Sequence, residues 1–105
     1  MFLFDGFTEK ANKALNLALA VSSQLGHTYV GSEHILFGLA AEGTGVAATL
    51  LAKKNVTKEM VLEKLESNVG KGMPTQVTPS DFTPRTKRIL EMAIAESRRL
   101  GHTYV

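Results

Sequence analysis

The chain has 105 residues, of which 44% are hydrophobic and none is cysteine, and its formal net charge is +2. This length supports one domain with a modest core, and the lack of cysteine excludes disulfides, thiolate nucleophiles and zinc–thiolate sites. The start of the chain lacks the pattern of a signal peptide, and no apolar run is long enough to span a membrane, so we expect a cytoplasmic protein.

The first predicted helix begins after Thr8, a residue type that caps helix N-termini, and extends to about Leu25. Gly26 follows at the point where a left-handed residue ends a helix. The apolar side of this helix is predicted to contain Ala11, Ala14, Leu15, Ala18, Leu19, Val21 or Ser22, and Leu25.

Three shorter helices are predicted next. Ser32 is expected to cap the second, over residues 33–41, with Glu33 in its first turn, and residues 27–31 are expected to connect it to the first without pairing in a sheet. A third helix is predicted from residue 45 or 46 to 54, and a fourth from its cap Thr57 to about Val69.

A linker and a last helix complete the predicted elements. Residues 70–81 hold two glycines and two prolines without apolar periodicity, which indicates a linker. Thr83 and Pro84 then begin a helix that extends to Leu100, with proline at the first helical position. No segment shows strand alternation, so the predicted fold class is all-α.

The sequence contains an internal repeat with a shift of 75 residues. Residues 25–30 recur identically as residues 100–105, and six further identities between residues 7–30 and 82–105 give 12 matches over 24 positions. This indicates duplication of a supersecondary unit. We therefore predict a first four-helix repeat over residues 1–70, a linker over 71–82, and the first helix of an incomplete second repeat over 83–105.

The last helix is expected to need a partner for its apolar side chains. Burying a large apolar side chain stabilises the folded chain by about 1.5–3 kcal/mol, and this free energy is lost if the side chain stays in water. We expect this helix either to pack on the first repeat or to be exchanged between two chains in a dimer. Its apolar residues are Ile89, Leu90, Met92, Ala93, Ile94 and Leu100.

Catalytic and metal sites are not indicated. His27, His34 and His102 lack the spacing of paired metal ligands on one helix, so a packing role is favoured. The glycine-containing segments do not match a phosphate-binding P-loop, and no nucleophile has a base and an orienting partner. Five basic residues against two acidic ones in residues 82–105 favour a solvated helix face over a nucleic-acid patch.

One group of residues favours a more specific interpretation. Ser32 and Glu33 begin one predicted helix and Thr8 begins another, so free backbone N–H groups are expected near a carboxylate. Helix N-termini attract anions, and a carboxylate binds a guanidinium through two hydrogen bonds. Such a site would suit a ligand with a phosphate at one end and a guanidinium at the other, although plain capping is the simpler explanation.

Several motifs together resemble a known family. These are Phe7-Thr8-Glu9-Lys10-Ala11, Leu25-Gly26-His27, Val30-Gly31-Ser32-Glu33-His34-Ile35-Leu36, Glu42-Gly43-Thr44-Gly45 and Phe82-Thr83-Pro84-Arg85. In this order they resemble the N-terminal repeat domain of Clp ATPases, of the ClpC type more than the ClpA type. The resemblance covers nearly the whole chain.

The resemblance implies a fold and a function. It implies four-helix Clp N-type repeats that recruit substrate and adaptor proteins for AAA+ rings, which unfold proteins for a partner peptidase in protein quality control. It also implies phosphoarginine binding, with Glu33 holding the guanidinium, Thr8 at the opening of the first helix, and Thr83 as the remaining wall of a paired site. ATP would belong to ATPase modules outside these residues, and the domain itself would be no enzyme and hold no metal or cofactor.

Two alternatives remain open from the sequence. A freestanding Clp-like regulator or adaptor could dock on a Clp ATPase or compete for its ligands. A helical nucleic-acid binder would lose affinity steeply with salt, and we expect no such binding.

Overall fold

A computed structural model describes residues 1–105 as five α-helices and a short 3-10 helix, with no strand. The predicted all-α class is confirmed, and every helix end lies within one residue of the predicted one. No single helix is long and apolar enough to cross a membrane, although the helices Ser32–Glu42 and Val46–Lys53 together, with a bend of 95° between them, have the required length and composition. The elements are α1 (Glu9–Gln24), α2 (Ser32–Glu42), α3 (Val46–Lys53), α4 (Lys58–Val69), the 3-10 helix (Pro79–Asp81) and α5 (Pro84–Arg99).

Threonine side chains cap three of the helices, as predicted. The hydroxyl of Thr8 accepts a hydrogen bond from the backbone N–H of the third helical residue, and Thr57 and Thr83 do the same in α4 and α5. Each bond satisfies one of the N–H groups that a helix leaves free at its start.

The predicted cap of α2 is wrong by one residue. Ser32 is the first residue of the helix, and the N-cap is Gly31, which has no side chain to accept a bond. Instead the ring of His34 reaches back, and its Nδ1 accepts from the N–H of Gly31 at 2.9 Å. A histidine that serves its own helix start in this way is outside the usual capping pattern, which explains why the sequence suggested serine.

The close contact between α1 and α2 depends on a glycine. A Cβ atom on Gly38 would overlap the carbonyl oxygen of Ala14 and lie 3.2 Å from the backbone nitrogen of Ala18. The two helix backbones therefore approach each other more closely here than any larger residue would allow.

The core consists of two clusters, and both contain residues from α1 or its C-terminal end. The predicted apolar side of α1 is buried, which confirms that pattern. One cluster contains Ala18, Leu19, Val30, Val77 and Phe82. The other contains Val21, Leu25, Val61 and Leu65. Since Val77 and Phe82 come from the predicted linker, residues 71–82 pack against the helices rather than running free in solvent.

Val30 pairs with the segment that precedes α5. Its N–H donates to the carbonyl of Asp81 at 3.0 Å, and its carbonyl accepts from the N–H of Thr83 at 3.1 Å. These bonds form an isolated parallel bridge between Val30 and Phe82. The expectation that residues 27–31 only connect two helices is therefore corrected, because their last part pairs with a distant segment.

The second copy of the repeat pairs in the same way with the start of the first copy. The N–H of Val105 donates to the carbonyl of Gly6 at 3.0 Å, and its carbonyl accepts from the N–H of Thr8 at 2.9 Å. Val105 is the repeat equivalent of Val30, and residues 6–8 are the equivalents of 81–83. Each copy thus pairs with the start of the other, and the duplication seen in the sequence has a geometric counterpart.

Side-chain bonds repeat as well. The hydroxyl of Ser22 donates to the carbonyl of Tyr29 at 2.6 Å, and that of Ser97 donates to the carbonyl of Tyr104 at 2.8 Å. Both serines are buried. The hydroxyl in each copy ties the end of a helix to the segment that follows it.

The helix α5 packs on the first repeat within the same chain. Thr86 is fully buried, and its hydroxyl donates to the carbonyl of Val30 at 2.9 Å. Leu90 packs against the cluster around Ala18. The first of the two predicted arrangements for this helix is therefore present, and exchange between two chains stays a prediction. Met92 and Leu100 remain 64% and 54% exposed.

Gly26 and Gly101 offer a matched test of packing between the two copies. Their φ angles are +77° and +78°, so alanine would be similarly strained at either position. A Cβ atom on Gly26 would also overlap the carbonyl of Met73 and lie 2.7 Å from the carbonyl carbon of Gly72, whereas one on Gly101 would meet nothing within 4 Å. We expect Gly26→Ala to lower the free energy of unfolding by about 2–4 kcal/mol and Gly101→Ala by about 1 kcal/mol.

Urea denaturation of both variants measures the difference. Equal losses would mean that residues 72 and 73 can move away without cost, which would contradict the tight packing of this segment on α1.

Candidate functional site

Three of the predicted site residues lie together at the start of α2 and α5. Ser32, Glu33 and Thr83 line a recess of about 300 Å³, called the Glu33 recess below. Its other lining residues are Tyr29, Gly31 and Arg85. The recess therefore combines one carboxylate, one guanidinium, the hydroxyls of Ser32 and Thr83, and the phenol ring of Tyr29.

The pairing of Val30 with residues 81–83 creates this recess. Thr83 follows Phe82 directly and caps α5, while Gly31 follows Val30 directly and caps α2. Two helices therefore begin side by side, separated only by the bridge. Thr83 and Arg85 both line the recess, so the start of α5, where the positive end of the helix dipole lies, forms part of its wall.

Thr8 lies at a different surface from Glu33. It lines another recess, formed with residues that include Lys10, Glu42, His102 and Tyr104. The prediction that the starts of α1 and α2 converge on one site is therefore corrected: α5, and not α1, is the helix that begins beside α2. Sequence spacing could not reveal this, because Val30 pairs with residues about 50 positions away and Val105 with residues nearly 100 positions away.

Glu33 has no strong partner within the protein. Its only hydrogen bond is a long one of 3.4 Å from the hydroxyl of Ser32. The one ion pair in the molecule joins Glu96 to Arg99, so neither Glu33 nor Arg85 is neutralised by an opposite charge. An unpaired carboxylate beside an unpaired guanidinium is suited to a ligand that carries both charges.

The position of the Glu33 carboxylate depends on Gly31. A Cβ atom at residue 31 would lie 2.9 Å from Oε2 of Glu33 and 3.5 Å from the ring of Tyr29. The carboxylate therefore folds back over the glycine at the helix start. In the motif Gly31-Ser32-Glu33, the first residue is glycine because a side chain there would displace the carboxylate, and the third residue supplies that carboxylate.

Arg85 and Tyr29 are the site residues that the sequence analysis missed. Arg85 was assigned to a solvated helix face, and Tyr29 to a connector. Both are indeed partly exposed, but they form walls of the Glu33 recess. The only available signal was their place in the repeated and family-like motifs, at Tyr29-Val30-Gly31 and Thr83-Pro84-Arg85.

A chain of hydrogen bonds through two histidines lies behind the recess. His34 Nδ1 accepts from Gly31, so its Nε2 carries the proton and donates to Nδ1 of His27 at 2.8 Å. His27 then donates from Nε2 to the carbonyl of Gly70 at 2.9 Å. The predicted packing role of His27 and His34 is confirmed by these bonds, which join the ends of α1, α2 and α4. His102, by contrast, is exposed.

His34 must be neutral for these bonds to form. The pKa of His34 is lowered from 6.5 to about 4, mainly by burial and in addition by the nearby His27, while the carboxylate of Glu33 opposes the shift. A proton on His34 Nδ1 would remove the acceptor for Gly31. Acid is therefore expected to disturb the start of α2.

Comparisons of the sequence and of the structure with known proteins identify the same family. The family model described as the Clp repeat (R) N-terminal domain matches residues 6–105. An ATP-dependent Clp protease ATP-binding subunit ClpA homolog from Porphyra purpurea is 44% identical over 103 residues, covering 98% of this chain and 12% of that protein. The chloroplastic chaperone protein ClpC1 of Arabidopsis thaliana is 42% identical, covering 98% and 11%. The chain thus spans about a tenth of the length of these relatives.

A solved structure shows the same architecture. The crystal structure of the N-terminal domain of the caseinolytic protease associated chaperone ClpD from Arabidopsis thaliana aligns with a TM-score of 0.77 and 26% identity. The alignment covers 99% of this chain and 71% of that one.

The His34 shift leads to a prediction about stability and pH. Because the pKa of His34 is lower in the folded chain than in the unfolded one, the unfolded chain takes up the proton first as the pH falls. The free energy of unfolding should therefore decline between pH 6.5 and about pH 4, with a total loss from this group of at most about 3 kcal/mol. Urea denaturation at a series of pH values measures the slope.

Two variants assign the slope to its source. His34→Gln should lower the stability at pH 7 and flatten the slope, whereas His102→Gln, at an exposed position, should leave it as in the parent chain. A slope that persists in His34→Gln would show that other groups cause the loss.

Proposed function

The chain belongs to the Clp repeat N-terminal domain family, and on that premise we propose that it is a recognition domain of a ClpC-like AAA+ unfoldase. In this role it recruits substrate and adaptor proteins, which the ATPase ring then unfolds for a partner peptidase. The domain itself catalyses no reaction and needs no cofactor, since ATP is used by other modules. The family match and the sequence likeness to ClpA- and ClpC-type chaperones support this proposal.

We further propose that the ligand of the Glu33 recess is phosphoarginine on a substrate protein. The observation that carries this proposal is that the unpaired carboxylate of Glu33 and the unpaired guanidinium of Arg85 line the same recess. In phosphoarginine a negatively charged phosphoryl group is bonded to a nitrogen of the cationic guanidinium group. A recess with only one sign of charge would leave one of these groups without a partner.

The residues have distinct roles in the proposed complex. Glu33 accepts two hydrogen bonds from the guanidinium, and Arg85 with the start of α5 binds the phosphoryl oxygens. The hydroxyls of Ser32 and Thr83 line the recess and offer further donors. Thr8 holds the place in the other copy that Thr83 holds here, because it pairs with Val105 as Thr83 pairs with Val30. It therefore belongs to the symmetry-related half of a paired site.

The cellular compartment stays a prediction. The sequence favoured the cytoplasm, while relatives from Arabidopsis thaliana and Brassica napus are named as chloroplastic proteins. We keep the cytoplasm as the proposal and a plastid as its alternative. The proposed ligand chemistry is the same in either compartment.

Isothermal titration calorimetry with free phosphoarginine tests the proposed ligand. We expect Glu33→Gln to weaken binding about tenfold or more, because a charge-assisted pair of hydrogen bonds becomes a single neutral one. Arg85→Gln should weaken binding of phosphoarginine but have little effect on the much weaker binding of unmodified arginine. This difference separates the two ends of the ligand.

Glu91→Gln supplies the matched control. It removes the same charge from an exposed position on α5, outside the recess, and should leave affinity unchanged. Equal binding by Glu33→Gln and the parent chain would place the ligand elsewhere and refute the assignment of Glu33.

A second variant tests the geometry without removing a charge. Gly31 has φ −97° and ψ −178°, which alanine adopts readily, so Gly31→Ala should change the stability by only about 1 kcal/mol. The new Cβ atom displaces the Glu33 carboxylate, and we expect a several-fold loss of phosphoarginine affinity in the same titration.

Gly45→Ala is the control for this variant. Gly45 is the N-cap of α3, and its added Cβ atom would also approach a carboxylate, that of Glu42, at 3.1 Å. It should keep full affinity. A similar loss in both variants would point to a general effect on folding.

A further inference from the structure

An apolar groove lies between α2 and α4, with a volume of about 360 Å³. Three large apolar side chains on its walls are open to solvent: Leu36 is 37% exposed, Met60 51% and Val69 41%. Lys64 and Asn68 are its polar residues besides those shared with the Glu33 recess. We call it the α2–α4 groove.

The groove and the Glu33 recess are adjacent. Tyr29 and Glu33 line both of them, so the carboxylate and the aromatic ring form a common wall. The ring of Tyr29 is held in place by its neighbours: it stacks on His27 with an angle of 9° between the planes and meets the ring of His34 at 74°. A ligand bound at Glu33 therefore has an apolar surface beside it.

We infer that the α2–α4 groove binds an apolar side chain of the same substrate segment that carries the phosphoarginine. This inference rests on the proposed function of the Glu33 recess and extends it to the residues around the modified arginine. The substrate class is then an extended, unfolded segment with a phosphoarginine and a large aliphatic residue close by in sequence.

The geometry of an extended chain defines which residue enters the groove. Side chains at positions i and i+2 of an extended segment point to the same side, about 6–7 Å apart, while the residue between them points away. The residue two positions from the phosphoarginine therefore faces the protein on the same side as the arginine. Lys64 and Asn68 supply donors for the carbonyl groups of the segment, and Lys64 has no ion-pair partner that would compete.

The chemistry favours an unfolded segment over a folded partner surface. Large aliphatic residues are mostly buried in folded proteins, so one that is free to enter a groove beside a modified arginine marks a chain that has lost its structure. The Glu33 recess would then recognise the phosphorylated arginine of the substrate, and the α2–α4 groove would recognise that the substrate is unfolded.

Peptide binding measured by fluorescence anisotropy tests the inference on the intact chain. Three labelled peptides are compared: phosphoarginine among alanines, the same peptide with leucine two positions to either side, and the leucine peptide with unmodified arginine. We expect the leucine phosphopeptide to bind about three- to tenfold more tightly than the alanine phosphopeptide, since part of a leucine side chain leaves water. The unmodified leucine peptide should bind weakest.

Met60→Gln should abolish the gain from leucine and leave the affinity for the alanine phosphopeptide unchanged. Leu50→Gln is the control, because Leu50 is also apolar, helical and exposed, at 56%, but lies on α3 outside the groove. It should retain the full leucine effect. Circular dichroism confirms that both variants are folded.

The outcomes separate this inference from the proposed function. If Glu33→Gln does not affect binding of any phosphopeptide, the proposed function fails. If binding depends on Glu33 but not on leucine or Met60, the proposed function stands and this inference is overturned. Equal binding of the modified and unmodified leucine peptides would also overturn it, because the groove would then act alone. So would a dimer that Met60→Gln dissociates, because a second copy would then occupy the groove.

Discussion

The reciprocal backbone pairing of the two repeat copies is the interaction on which the candidate site depends. Val30 is fully buried, its N–H and carbonyl both bond the segment before α5, and the hydroxyl of Thr86 adds a second donor to the same carbonyl. Buried backbone groups that lose their partners cost about 1–3 kcal/mol each. The start of α5 is therefore held firmly beside the start of α2, and that placement brings Arg85 into the same recess as Glu33.

The histidine network supports the other wall of the site. His34 caps α2 from within the helix, and through His27 it reaches the carbonyl of Gly70 at the end of α4. The Glu33 recess and the α2–α4 groove both contain residues of α2, and the groove also contains residues of α4. A single buried network thus fixes the relative positions of the elements on which the proposed site and groove are built.

The helices could be predicted because the interactions that start and end them are local in sequence. The site could be predicted only in part, because it depends on pairing between distant segments. Threonine caps, Pro84 at a first helical position and left-handed glycines act within a few residues, and all were visible in the sequence. The cap of α2 was misplaced because a histidine ring, rather than Ser32, satisfies Gly31. The structure brings Ser32, Glu33 and Thr83 into one recess. From the sequence, Glu33 was grouped with Thr8, and Thr83 was given to the other half of a paired site, because the sequence does not say which copy pairs with which.

The reciprocal contact between the copies also has an evolutionary consequence. Val30 bonds the stretch before Thr83, and Val105 bonds the stretch before Thr8, so each unit offers the other the same donor and acceptor in return. Surfaces that exchange identical contacts about a twofold axis are those of an isologous homodimer. An ancestral single-unit chain could satisfy these groups by associating with an identical molecule, and gene fusion would then have turned a concentration-dependent assembly into one that forms within a single polypeptide.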